Sequence, residues 1–188
     1  MKRFLIALVA IATLTGCASD PGRRERLIKE HSGRLQAPTT PLSSYGKFEL
    51  KPMQMVAGVA NDESKAAVVK DLEQRLQERV QPMFARWNAE SGNGAGASKT
   101  IIVQPRVTQL RVVGSATRFF IGAMAGESSI TMDLELRDGT TGALVANPGI
   151  ARSADAFAGG YSVGATDRNL LGYIADIATQ YLQEHRAR

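Results

Sequence analysis

Cysteine occurs once in the 188 residues, as Cys17, so no disulfide can close within the chain and no thiolate zinc site can be built from it. Histidine occurs twice, as His31 and His185, and neither stands in a motif with a nucleophile or with metal-ligand spacing. A histidine-based triad or zinc centre is therefore not expected. Aromatic residues make up 6% of the chain and no aromatic–basic run offers a stacking platform, so nucleic acid is not an expected partner. The glycine-rich stretches at 92–96 and 159–164 lack the glycine-lysine-serine or glycine-lysine-threonine signature of a phosphate cradle, and flexible hairpins explain them more simply. Long paired segments of alternating hydrophobicity are missing too, which argues against membrane-spanning hairpins. No cofactor is called for.

The longest apolar run, Phe4 to Leu14, falls well short of the roughly 20 residues that a membrane-spanning helix needs. It follows Lys2 and Arg3 and precedes Leu14-Thr15-Gly16-Cys17, which is the layout of an export signal. The quartet resembles the lipobox of bacterial lipoproteins, which implies that residues 1–16 are removed and that Cys17 is lipidated and becomes the first residue. Acyl chains contribute about 0.8 kcal/mol per buried methylene, so a multiply acylated cysteine is a permanent anchor. Ala18, not aspartate, follows the cysteine. By the enterobacterial sorting pattern this favours the periplasmic face of the outer membrane over that of the inner membrane. Loss of Lys2 and Arg3 with the signal leaves 21 basic against 18 acidic residues, a net charge of +3 and an ordinary surface.

Beyond the anchor, residues 17–42 read as a flexible tether punctuated by Pro21, Gly22, Gly33, Pro38 and Pro41. Within it, Arg23 to His31 could form two helical turns with Leu27 and Ile28 on one side. This stretch is basic and could rest against anionic lipid, although a solvated linker is the simpler reading. Residues 43–188 suit one domain. Tyr45 to Val56 suggests a first strand interrupted by Pro52. Asn61 or Asp62 can cap a helix in which Val69, Leu72, Leu76, Val80, Met83, Phe84 and Trp87 draw one apolar stripe, with a kink or restart at Pro82. Thr100 to Val113 reads as a long strand bulged near Pro105. In Ser129 to Arg137, Ile130, Met132, Leu134 and Leu136 alternate with polar residues, as in a sheet with one face buried. Asp138 to Gly142 makes a turn into Ala143 to Ala146, Pro148-Gly149 breaks that strand, and Ile150 to Phe157 continues it. Thr166 or Asp167 caps a last helix with Leu170, Leu171, Ile174, Ile177, Ala178, Tyr181 and Leu182 on one face. The expected fold is α+β: a two-layer sandwich of a mostly antiparallel sheet of four or five strands with two helices on one face.

Two features could carry function. Asp133 and Glu135 share one face of a strand and could act as acid and base, but they occupy its solvent-facing phase. Gly114 to Gly126 places Arg118, Phe119, Phe120, Ile121 and Met124 in a Gly/Ala-rich connection, where an exposed apolar loop would mark a partner contact and a hairpin end folded over the core is the alternative.

From Thr100 onward, Arg111-Val112-Val113-Gly114-Ser115, Arg118, the Gly122 to Gly126 loop, Asp138-Gly139-Thr140-Thr141-Gly142 and the terminal helix resemble uncharacterised proteobacterial outer-membrane lipoprotein families. Their α/β module is similar to the N-terminal domain of the Tol-Pal periplasmic protein and to the curli secretion lipoprotein. The resemblance implies an envelope assembly role and supplies no catalytic residues. The expected function is thus a non-enzymatic interaction module with an envelope protein as partner, contacted through the sheet edge or the 114–126 loop. The alternatives are a binder of lipid or glycan and a carboxylate-dependent hydrolase. Oligomeric state is not legible.

Overall fold

In the computed structural model, residues 21–60, 63–91, 98–111, 128–153 and 165–187 are described. Helix α1 spans Pro21–Gly33, and a 3-10 turn at Leu42–Ser44 leads into strands β1 (Lys47–Leu50) and β2 (Gln54–Met55). A short helix α2 (Ala57–Ala60) and the long α3 (Glu63–Glu90) follow. Strands β3 (Thr100–Arg111), β4 (Ser129–Asp138), β5 (Leu144–Ala146) and β6 (Gly149–Ser153) complete the sheet, and α4 (Ala165–Arg186) closes the chain.

The six strands form one open mixed sheet, more strands than the four or five expected, because Pro52 and Pro148 each cut one strand into two. β1 and β2 both run parallel to β3, whereas β4 is antiparallel to β3, and β5 and β6 are both antiparallel to β4. The parallel pairs follow from the order strand, helix, strand: a chain that returns through a 28-residue helix re-enters in the same direction.

Pro105 shows how the central strand tolerates a residue that cannot donate to the ladder. β1 ends where Leu50 meets Val103 and β2 begins where Gln54 meets Arg106, so the gap made by Pro52 lies opposite Pro105. The missing N–H therefore faces an interruption, and Pro105 stays paired with Leu134 and buried. The irregularity of β3 falls instead between Val107 and Gln109.

Alternation then decides the faces. Phe48, Ile101, Val103, Val107, Ile130, Met132, Leu134 and Leu136 are buried under the helices. α3 lies against β1 and α4 against β6, and the two pack on each other. Phe48, Phe84 and Trp87 form an aromatic cluster with ring centroids 4.9 to 5.6 Å apart. The opposite face carries Gln104, Arg106, Asp133, Glu135 and Arg137. The turn expected at Asp138 forms as read: Asp138 Oδ1 accepts from the Thr140 and Thr141 backbone amides at 2.9 and 2.8 Å, and Gly142 takes a φ of 71°.

Three expectations change. α3 runs unbroken through Pro82, because Pro82 and Glu78 are both exposed, so the carbonyl that proline leaves without its partner is open to water. Thr166 and Asp167 fall inside the first turn of α4 rather than before it. Residues 21–42, read as tether, are part of the packed unit: Leu27, Ile28 and Leu35 pack against the core, Leu42 is fully buried, and the Tyr181 hydroxyl donates to the Gln36 carbonyl at 2.8 Å. Pro21 opens α1, Gly33 ends it, and Pro38 and Pro41 lie in the connection that follows, while the apolar side chains of this stretch hold it to the core.

Candidate functional site

Four regions carry chemistry or shape. The first is the lipidation site: Cys17 lies outside the described residues, four residues before α1 begins at Pro21.

The second is a recess of about 260 Å³ where the C-terminal end of β3 and the start of β4 meet the N-terminal halves of α3 and α4. Its floor is Ala67, Val68, Leu110, Ile130, Leu170 and Leu171, and Asp71, Arg111, Ser128 and Ser129 complete the lining. Asp71 receives Arg75 through Nε at 2.8 Å and Nη2 at 3.3 Å. The connection that joins the two strands, residues 112–127, contains Arg118, Phe119, Phe120 and Met124. All four lie outside the described residues.

The third is the junction of α1, α3 and α4. Asp176 accepts from Arg24 Nη2 at 2.6 Å and from Arg79 Nε at 2.6 Å, which ties the first helix to the other two. Beside it, His31 Nδ1 lies 2.8 Å from the Leu27 carbonyl, to which it donates, and 3.3 Å from the Tyr173 hydroxyl. The guanidinium groups of Arg24 and Arg152 lie 5.9 and 5.7 Å from the Tyr173 ring centroid. Burial, reinforced by the positive charge of Arg152, lowers the His31 pKa, and burial raises that of the Tyr173 hydroxyl. His185 is buried elsewhere, with its ring 4.5 Å from that of Tyr181. The two histidines thus lie in separate places. Among the described residues no group of three or more metal-ligating side chains converges.

The fourth is the polar sheet face, where the carboxylate pair suggested by the sequence stands. Glu135 is 14% exposed and lies between two arginines, with Arg137 Nε at 2.5 Å and Arg106 Nη1 at 3.3 Å. The Arg137 hydrogen bond first, and then the positive charge of both arginines, holds its carboxyl below the usual glutamate range. The backbone of Asp133 pairs with that of Arg106. The face is an ion-pair network around an ionised Glu135, the opposite of the raised pKa that an acid catalyst needs.

The sheet edges are partly spoken for. Asn88 of α3 accepts from the Phe48 amide at 2.8 Å and donates to the Phe48 carbonyl at 3.1 Å, and Glu73 accepts from the Met53 amide at 2.8 Å. On the other side, Thr39 donates both its backbone amide and its hydroxyl to the Val145 carbonyl of β5. These caps blunt edges that would otherwise template another strand. Sequence reasoning missed both the caps and the Asp176 clamp, since each joins residues 20 or more positions apart and leaves no periodic trace.

Comparison with known proteins adds family and placement. Residues 1–18 match the prokaryotic membrane lipoprotein lipid attachment site, so the chain is a membrane-anchored lipoprotein. No curated protein matches the sequence. Among solved structures, the chain is similar to the PelC dodecamer from Paraburkholderia phytofirmans, at 15% identity and a TM-score of 0.43, over 79% of this chain and 94% of that one. A single-residue variant of that dodecamer gives 14% identity with the same coverage and TM-score. The finer likeness to the Tol-Pal and curli proteins rests on sequence patterning alone. Residues 43–179 match the family described as a domain of unknown function, DUF4410, and the chain belongs to that family.

Proposed function

We propose that the chain is a non-enzymatic interaction module of the cell envelope, held on the periplasmic face of the outer membrane by Cys17 and binding a protein partner at the recess between β3, β4, α3 and α4. The recess carries this reading. At about 260 Å³ it falls just below the roughly 300–1,000 Å³ of small-molecule sites, and its apolar floor with charged and hydroxyl groups around it suits an anchoring side chain of a partner. Capping of β1, of the gap between β1 and β2, and of β5 shifts the expected contact from the sheet edge to this end of the molecule, where residues 112–127 also attach. The ionised Glu135 between its arginines supports a structural rather than a hydrolytic role for the polar face. Ala18 beside Cys17 supports outer-membrane placement.

A photo-crosslinking residue at Leu110, a half-buried residue of the recess lining, tests this in cells. One discrete protein adduct is expected, and Val68→Asp should abolish it without unfolding the domain. The apolar floor equally fits part of an acyl chain, which is the second reading. An adduct to lipid with no protein adduct would establish that reading and overturn the first.

A further inference from the structure

The packing of α1 changes how the domain sits relative to its anchor. With 17–42 as a loose tether the domain could wander, but the packed unit begins at Pro21, only four residues after Cys17. Four residues span at most about 14 Å when fully extended. The start of α1 is therefore kept within about one to two Debye lengths of the headgroups at physiological salt, close enough for surface charge to act.

The charge on α1 is arranged for that distance. Arg23, Arg26 and Lys29 recur every three residues and are all exposed, so they run along one side of the helix. Leu27 and Ile28, on the other side, pack against the core. Glu25 and Glu30 are also exposed on α1, and Glu30 is engaged by Arg34; Arg23, Arg24, Arg26, Lys29 and Arg34 outnumber these two carboxylates, so the segment stays net positive. The rotation of the helix is fixed by the Arg24–Asp176–Arg79 clamp and by His31 against Tyr173, so the basic stripe cannot turn inward. The exposed side of α1 presents no large apolar residue, which suits contact with phosphate headgroups rather than burial among acyl chains.

We propose that the outer side of α1 is a membrane-docking surface that holds the domain against anionic phospholipid headgroups of the leaflet carrying the Cys17 acyl chains. This rests on the anchor and not on the partner recess. Docking fixes which side of the domain faces away from the membrane and so which surfaces a partner can reach.

The test uses the lipidated protein in vesicles of phosphatidylcholine with or without phosphatidylglycerol. Acylation blocks the Cys17 thiol, so an added cysteine is the only one that takes a fluorophore. Gly33→Cys is suitable, because Gly33 is exposed, follows Lys29 by four residues, and a side chain there meets nothing within 4 Å. Gln109→Cys, exposed on the sheet face away from the helices, is the reference. In phosphatidylglycerol vesicles the label at 33 should be quenched by lipid-borne spin label and shielded from aqueous acrylamide, while the label at 109 stays accessible. Arg23→Glu with Lys29→Glu should lower the docked-to-free ratio by at least about 25-fold, at about fivefold for each basic residue lost, and high salt should do the same. Circular dichroism of the double variant establishes that α1 is intact. The proposal is overturned if the labels at 33 and 109 report equal exposure in phosphatidylglycerol vesicles, or if shielding at 33 survives both high salt and the double variant. Only protein and lipid are present, so failure here leaves the crosslink at Leu110 unaffected.

Discussion

Replacing Asp176 by asparagine tests whether α1 belongs to the folded unit. The substitution keeps the size of the side chain and removes the charge that two guanidinium groups share at 2.6 Å each. The two arms differ in value. Arg24 is 48% exposed, so its arm is screened and contributes roughly 0.5–1 kcal/mol. Arg79 is 29% exposed and Asp176 23%, and this more sheltered charge-assisted bond contributes about 1.5–3 kcal/mol. The sum, about 2–4 kcal/mol, corresponds to a fall in Tm of roughly 4–16 °C at about 2–4 °C per kcal/mol for a domain of this size. Scanning calorimetry of Asp176→Asn, Arg24→Ala, Arg79→Ala and the double variants separates the arms through a mutant cycle. Hydrogen exchange across residues 21–33 then shows which arm holds the helix. Arg24→Ala should speed exchange there while lowering Tm only slightly, whereas Arg79→Ala should lower Tm more and change exchange there less. If Asp176→Asn shifts Tm by less than about 2 °C and the α1 amides of the wild type exchange as fast as an unfolded peptide, α1 is a tether and the clamp argument fails.

Acid should destabilise the domain in two steps. His31 has a lowered folded pKa, so below about 6.5 the unfolded chain takes up a proton first and stability declines; Glu135, whose folded pKa is also lowered, adds stability that is present above about 4.3 and lost as pH falls through its folded value. Urea titrations across pH should show His31→Gln flattening the first decline and Glu135→Gln the second. Phe84→Ala, which opens the cluster around Phe48 and Trp87, should cost about 3–5 kcal/mol and red-shift the emission of the single tryptophan in the folded state, both readable in one fluorescence-monitored unfolding curve.

Most of what the sequence determined by itself came from period and punctuation. The lipobox was legible because signal, spacing and cysteine are contiguous, and the family comparison bears it out. The stripe from Val69 to Trp87 and the alternation from Ile130 to Leu136 each specify an element and its buried face, because a helix repeats every 3.6 residues and a strand every 2. The turn at Asp138 to Gly142 was legible for the same local reason. Only the tertiary structure decided the rest. Pro105 fits a central strand because Pro52, 53 residues earlier, interrupts the neighbouring one. Glu135 is an ion-pair partner and not a raised acid chiefly because of Arg137, two residues along the same strand, and Arg106, 29 residues away, which only the sheet brings to it, completes the pair. Most of all, residues 21–42 carry the composition of a linker yet join the core, since Leu27, Ile28 and Leu42 find α4 and Arg24 finds an aspartate 152 residues later. Such contacts are set by what the fold brings together, and no local pattern in the chain encodes them.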